Sequence, residues 1–382
     1  MTPAQKQLYW DVGMMAMELI RAAFYHRNPQ LPADTDWDLL LRFCRFHGVG
    51  AMAAMGLEGC MDLLPPEQAD AWLQEKNKSI RRSMLFDAER QALSAYLTQI
   101  GCRHVLLKGS ILQRKYPRIG MRWMNDTDIL VDGSFRDVIR TWMEDRGYTV
   151  KLYGKNNVDV YQKPPVYHFE IHTALFGGYR DASLSQYYQK LEQQLLETAG
   201  PTERQMSRED FFIYLIAHAH RHMNRRGIGI RNLVDLFVFC RNWGVPDAEY
   251  TRQELETLGM WEFAESCVSI SRKLMEEHSD CLLTNSEKDL LLEFFTSGTF
   301  GTGEQVMQRL VQNGAQTVTW KKRITYVLRR MFPHPEAMAK DYPVLERYPW
   351  LLPWCWLRRL FKGMAKERET ILAELRALRK VQ

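Results

Sequence analysis

A chain of 382 residues is too long for one small core and implies two or three packed units. Apolar residues make up 46% and charged residues 25%, ordinary for a soluble globular protein. Seven scattered cysteines without a CxxC pair indicate neither a zinc site nor a disulfide framework, so a reducing cytoplasm is expected. The net charge of +5 is uneven: residues 321–382 hold 15 Lys+Arg against 6 Asp+Glu, whereas residues 1–320 hold 36 against 40.

The start of the chain has no basic stretch followed by an apolar one, so no secretory signal is visible. No apolar run reaches the ~20 residues of a membrane span. Residues 1–98 read as a helical region. Leu8, Val12, Met15, Leu19 and Ala22–Ala23 follow the helical period. A second helix over Trp37–Phe46 follows the capping residues Asp34-Thr35-Asp36. Pro65-Pro66 breaks the chain before a long helix from about Glu67 to Ile100, closed by Gly101.

Residues 99–200 follow a different grammar. His104–Leu107 is a short buried-strand run, and Ile129–Val131 continues a strand that carries Asp126 and Asp128. Ser134–Arg146 reads as an amphipathic helix with Ser134 as its cap. Tyr148–Tyr153, Asp159–Gln162 and Val166–His172 read as strands, the last two joined by a Lys163-Pro164-Pro165 turn. This α/β unit is expected to end near Gly178. Residues 201–318 are helical again, with helices over Asp210–His222 and Arg231–Asn242 separated by Gly227-Ile228-Gly229. Residues 319–382 form a basic tail in which Trp350, Trp354 and Trp356 lie near Arg358, Arg359 and Lys362. Such a tail either binds a nucleic acid or an anionic membrane surface or is a solvated helical face. Two prolines interrupt it, which favours tryptophans packed on the helical body.

Three features of the α/β unit carry chemistry. Gly109-Ser110 stands at a strand-to-helix turn, where glycine permits close approach of a phosphate and a hydroxyl adds a donor. Asp126 and Asp128 are spaced to project from one face of a strand, where two carboxylates repel and need a cation between them. In Tyr167–His172, Phe169 and Ile171 point to the core, so Glu170 and His172 face the other way. If the two strands are neighbours, three carboxylates share a surface able to hold Mg²⁺ or Mn²⁺ for in-line displacement at phosphorus. The competing reading of Asp126-Thr127-Asp128 is a surface edge or a calcium-binding loop.

These residues resemble the DNA polymerase β-like nucleotidyltransferase superfamily, and more closely its bacterial uncharacterised nucleotidyltransferase family. The matching motifs are Leu107-Lys108-Gly109, Tyr116-Pro117, Arg122, Asp126-Thr127-Asp128-Ile129-Leu130-Val131 and Glu170-Ile171-His172. Further matches are Ala217-His218, His222, Gly229-Ile230-Arg231, Asp235, Phe332-Pro333, Tyr342-Pro343 and Leu351-Leu352-Pro353, so the likeness covers most of the chain from about residue 37. It implies an α+β fold, a small mixed-sheet nucleotidyltransferase core embedded in a mostly helical protein. It also implies metal binding and catalysis by Asp126, Asp128 and Glu170, with Glu170 as a candidate general base. Gly109 and Ser110 would hold the triphosphate, with Lys108 or Arg122 neutralising its charge. Asn125 departs from the pattern, standing where an apolar residue is usual.

Alternatives remain at single positions. Lys108 is either a phosphate ligand or a surface lysine, and Arg122 either a phosphate ligand or an ion-pair partner of Asp126. His218 and His222 have metal-ligand spacing, yet residue 219 is alanine where a HExxH site needs glutamate, so a supporting role is preferred. Arg231 and Asp235 form an i,i+4 pair or face the cleft. His172 either orients its neighbours or touches substrate. The expected activity is transfer of an NMP, most simply AMP from Mg²⁺-ATP, to a hydroxyl or phosphate of an unidentified acceptor. The alternative is a nucleotide-binding protein without chemistry whose tail contacts a partner.

Overall fold

The computed structural model describes residues 1–177, 181–197, 200–225, 227–244, 246–276 and 282–298, then 332, 338, 342 and 344–358. It is mostly helical with one mixed six-stranded sheet. By their contacts the residues divide into two units, Met1–His220 with Ile228–Thr299, and Arg221–Gly227 with Phe300–Gln382. No helix among the described residues is long and apolar enough to cross a membrane.

The first unit begins with α1 (Pro3–Tyr25), capped by the reciprocal Thr2–Gln5 capping box. It continues through α2 (Trp37–Phe46), whose cap Asp36 accepts from the Leu39 amide at 2.9 Å. The next helix, α3 (Gly50–Gly56), is buried along its whole length. A Cβ at Gly56 would lie 2.0 Å from the Leu19 carbonyl oxygen, so only glycine lets α3 pack this closely on α1. The long helix α4 (Pro66–Gln99) would extend about 51 Å at 1.5 Å per residue. It packs against α2 and α3, and its C-terminal Leu93 and Leu97 reach the core beneath the sheet.

The sheet is built from β1 (His104–Leu106), β2 (Thr127–Val131), β3 (Thr149–Leu152), β4 (Val158–Lys163), β5 (Tyr167–His172) and β6 (Glu203–Arg204), in the order β3-β4-β5-β2-β1-β6. Between β1 and β2 lies a single helical turn, α5 (Gly109–Leu112). After β2 comes α6 (Arg136–Asp145), entered through a 3₁₀ turn over Gly133–Phe135. That turn is capped by Asp132, which accepts from the Ser134 amide at 2.9 Å, and α6 follows Phe135 without a side-chain cap, so Ser134 does not cap the helix as the sequence suggested. An aspartate immediately before the turn reaches the open amides, while Ser134 lies inside it.

One face of the sheet packs on α4 and α6 through Leu97, Ile129, Val131, Ile139, Met143, Tyr161, Phe169 and Ile171. Strand alternation turns Asp128, Glu170 and His172 to the opposite face. The remaining helices of this unit are α7 (Ala182–Leu196), α8 (Arg208–Arg225), α9 (Arg231–Trp243), α10 (Ala248–Thr257), α11 (Trp261–Met275) and α12 (Asn285–Ser297), α8 running on into the second unit.

The expected boundary at 318/319 lies outside the described residues, as do most of the basic tail and the limit near Gly178. In the second unit a short helix, α13 (Val344–Arg347), contributes Leu345 to a small cluster with Met338 and Cys355, on which Trp356 packs. Trp350 is 74% and Trp354 53% exposed, so these two do not bury as the sequence reading favoured. Six described cysteines are free thiols.

Candidate active site

The turn after β1 is set by its backbone. Lys108 adopts φ 44°, a conformation that costs a non-glycine residue about 1–3 kcal/mol. The Leu107 amide donates to the Asp128 carbonyl at 3.1 Å, tying the turn to β2. Within it, the Ser110 amide donates to the Leu107 carbonyl at 3.1 Å and the Ile111 and Leu112 amides to that of Lys108 at 3.1 and 3.0 Å. The amides of Ser110, Ile111 and Leu112 are therefore closed on the turn itself. Ser110 Oγ is buried and, among the described residues, has no hydrogen-bond partner. A buried hydroxyl of this kind is costly unless something meets it.

Strands β2 and β5 are parallel neighbours, with Asp128 opposite Glu170 and Leu130 opposite His172. The ligating atoms of Asp128, Glu170 and His172 lie within 4.8 Å of one another. His172 Nε2 is 2.9 Å from Asp128 Oδ1 and 3.7 Å from Glu170 Oε2. On the other side of Glu170, His168 Nε2 stands 3.4 Å from Oε1. Lys108 Nζ donates to Asp128 Oδ1 at 3.0 Å, and their side chains are only 17% and 5% exposed. Two carboxylates and an imidazole form a fitting donor set for a divalent cation.

Asp126 precedes β2 and does not belong to this group. Burial and the adjacent Asp128 charge push its carboxyl above the ordinary range. For Asp128 burial acts in the same direction, but Lys108 and the hydrogen bond from His172 outweigh it and hold the carboxyl well below that range. Lys108 answers in kind: burial disfavours its ammonium, and Asp128 and Asp126 overcome that and raise its pKa. Glu170 raises that of His168.

The segment leading into Asp126 is held by three arginines. Arg122 pairs bidentately with Asp235 on α9, Nε–Oδ1 at 2.8 Å and Nη2–Oδ2 at 2.9 Å, and Tyr116 Oη donates to the same carboxylate at 2.6 Å. The partner of Arg122 is thus Asp235, not Asp126, and Asp235 is bonded to Arg122 rather than to Arg231 one turn earlier. Arg231 instead donates to the Trp123 carbonyl at 3.0 Å. Arg82 on α4 donates to the carbonyls of Met124 and Asn125, the latter at 3.1 Å. Asn125 accepts from Trp123 Nε1 at 2.7 Å, which accounts for a polar residue at that position. Arg122 Nη1 also lies 2.3 Å from where a Cβ at Gly109 would stand, so the arginine fills the space that this glycine leaves.

The geometry therefore gathers Lys108, Asp128, Glu170 and His172, with Arg122, Arg231 and Asp235 behind the Asp126 segment. His218 sits on α8 with its ring 6.3 Å from that of Tyr214. Among the described residues His218 and His222 join no group of three metal-ligating side chains. Sequence reasoning assigned no role to His168, Tyr116 or Arg82. His168 was accessible to it, since residue i−2 on a strand shares the face of Glu170.

Residues 33–276 match the family model described as an uncharacterised nucleotidyltransferase. No curated protein and no solved structure matches the chain.

Proposed function

The chain belongs to the uncharacterised nucleotidyltransferase family, and from that premise we propose that it transfers an NMP, most simply AMP from ATP, to a hydroxyl or phosphate of an acceptor. The observation that carries this reading is the parallel pairing of β2 with β5, which sets Asp128 beside Glu170 on the face opposite the core. Asp126, Asp128 and Glu170, with His172 beside them, are the residues that would hold Mg²⁺ or Mn²⁺. When bound, two such ions neutralise phosphate charge and ease deprotonation of the attacking hydroxyl.

The chain's own groups supply the rest. Ser110 Oγ and the Gly109 backbone receive the triphosphate, and Lys108 exchanges Asp128 for a phosphate oxygen. The acceptor oxygen bonds to the α-phosphorus as the bond to the bridging oxygen breaks. Pyrophosphate departs, and the acceptor proton passes to Glu170. Arg122 acts from behind, through Asp235 and Gly109, and positions the turn rather than contacting nucleotide.

One observation favours a second reading, in which nucleotide is bound without turnover: Lys108 already neutralises Asp128. The test is thermal stability with ATP, CTP, GTP and UTP, with and without Mg²⁺, for the native protein and Asp126→Asn/Asp128→Asn. Ligand at 100 times its Kd stabilises by about 2.7 kcal/mol. A Mg²⁺-dependent shift lost in the variant is expected and names the donor. No shift with any nucleotide would defeat the donor site, and a shift without pyrophosphate release on supplying candidate acceptors would favour the second reading.

A further inference from the structure

A cavity of the first unit lies outside the carboxylate group. It has a volume of about 830 Å³, within the size range of small-molecule sites, and none of Asp126, Asp128 and Glu170 lines it. Its walls come from the α2–α3 junction, from α4 and from Trp123.

Charge distinguishes this cleft. Arg45, Lys78 and Arg81 line it against a single acid, Glu75. Arg45 Nε pairs with Glu75 at 2.9 Å, so these two cancel. Lys78 and Arg81 are exposed and, among the described residues, form no ion pair. They stand three apart on α4, on neighbouring positions of one helix face. Two uncompensated cations facing one cavity fit an anionic ligand.

Position links the cleft to the chemistry. Trp123 forms one wall, its indole fixed by the hydrogen bond to Asn125 and by Lys78 and Arg82, which lie 5.4 and 5.1 Å from the ring centroid. Three residues later comes Asp126, whose Cα is therefore within about 11 Å of that of Trp123. A ligand filling the cleft from Lys78 and Arg81 to Trp123 therefore ends on the residue that leads, three positions on, into Asp126.

We propose that this cleft binds the acceptor, and that the acceptor is a sugar phosphate, free or at the end of a nucleic-acid strand. Its phosphate meets Lys78 and Arg81, and its hydroxyl lies at the Trp123 end. The proposal rests on the nucleotidyl-transfer reading for its function, though not for the binding itself.

The experiment titrates the full-length protein, in Mg²⁺ with α,β-methylene-ATP filling the donor site, with ribose 5-phosphate and with a short fluorescein-labelled single-stranded RNA. At least one is expected to bind, with affinity that falls as salt rises. Lys78→Glu/Arg81→Glu should weaken that binding by about tenfold or more, and Lys78→Arg/Arg81→Lys should retain it. The thermal shift with α,β-methylene-ATP should be the same in all three proteins. Binding of ribose 5-phosphate identifies a free sugar phosphate, and binding of RNA alone identifies a strand end. Binding of neither probe, or equal binding by the charge-reversed variant, overturns the proposal. So does loss of the nucleotide shift in that variant, which would assign the cleft to the donor. Absence of that shift in the native protein would instead strike the donor reading, while the response of the two probes to charge reversal would still decide the cleft.

Discussion

Lys108 and Asp128 form a largely buried ion pair, Nζ to Oδ1 at 3.0 Å, on the carboxylate best placed to bind a divalent cation. A charge-assisted hydrogen bond of this kind contributes about 1.5–3 kcal/mol, and a metal ion must displace it. Lys108→Met should therefore bind Mn²⁺ about tenfold or more tightly in the absence of nucleotide, as followed by the electron-spin-resonance signal of free Mn²⁺. In the native protein Mn²⁺ affinity should rise when ATP gives Lys108 a phosphate to engage. Equal Mn²⁺ affinity in the two proteins would show that Lys108 does not guard the site.

The same pair decides how Asp128 is best tested. Asp128→Ala leaves the Lys108 ammonium without its partner in a confined place, at a cost of about 3–5 kcal/mol. Loss of activity in that variant would confound folding with chemistry. Asp128→Asn keeps the shape and is expected to abolish pyrophosphate release with a smaller loss of stability. The double variant Asp128→Ala/Lys108→Met should recover much of the stability lost by Asp128→Ala alone, a coupling readable by chemical denaturation. Turnover retained in Asp128→Asn would remove this carboxylate from the mechanism.

Arg122 and Asp235 join the segment before β2 to α9, and Gly109 leaves room for the guanidinium. Arg122→Lys keeps the charge and loses the two-pronged bond, so it should cost about 1–3 kcal/mol. Gly109→Ala drives a methyl into Nη1 and should cost a similar amount, about 1–3 kcal/mol, by overpacking. Because both act on one contact, the double variant should lose less than the sum of the two. Denaturation midpoints of the three proteins check this, and simple additivity would mean that the two residues do not act through each other.

What could be read ahead of the structure was periodic. Phe169 and Ile171 alternate with Glu170 and His172 strongly enough to fix which face of β5 bears the carboxylate, and the helical elements follow their apolar spacing. What could not be read was the choice among partners distant in sequence. Arg122 had Asp126 nearby in the chain, and Asp235 had Arg231 one turn away, yet the two bond each other across 113 residues. The i,i+2 rule placed Asp126 with Asp128; β2 begins only at Thr127, yet the charges of Asp128 and Glu170 still act on the Asp126 carboxyl. Helix α3 escaped detection because its residues are small, apolar and buried all round, which leaves no amphipathic period to find.

His47, at the end of α2, supplies a pH test away from the carboxylates. Its Nδ1 accepts from the Ile230 amide at 3.4 Å while Nε2 donates to the Phe295 carbonyl at 3.1 Å, so the ring joins three helical segments as the neutral species. Burial pulls its pKa down to about 3, against an ordinary value of 6.5. Between those values the unfolded chain takes up a proton that the folded chain refuses. The stabilisation is thus whole above pH 6.5 and declines on acidification toward pH 3, by up to about 1.4 kcal/mol per pH unit. His47→Gln can offer an amide donor and acceptor without the titration, so its stability should fall less steeply between pH 7 and pH 5 than that of the native protein, even if it is lower at pH 7. Urea denaturation of both proteins at the two pH values measures the difference in slope. Parallel losses would mean that His47 accepts its proton in the folded state and that the buried ring is not held neutral by its two backbone contacts.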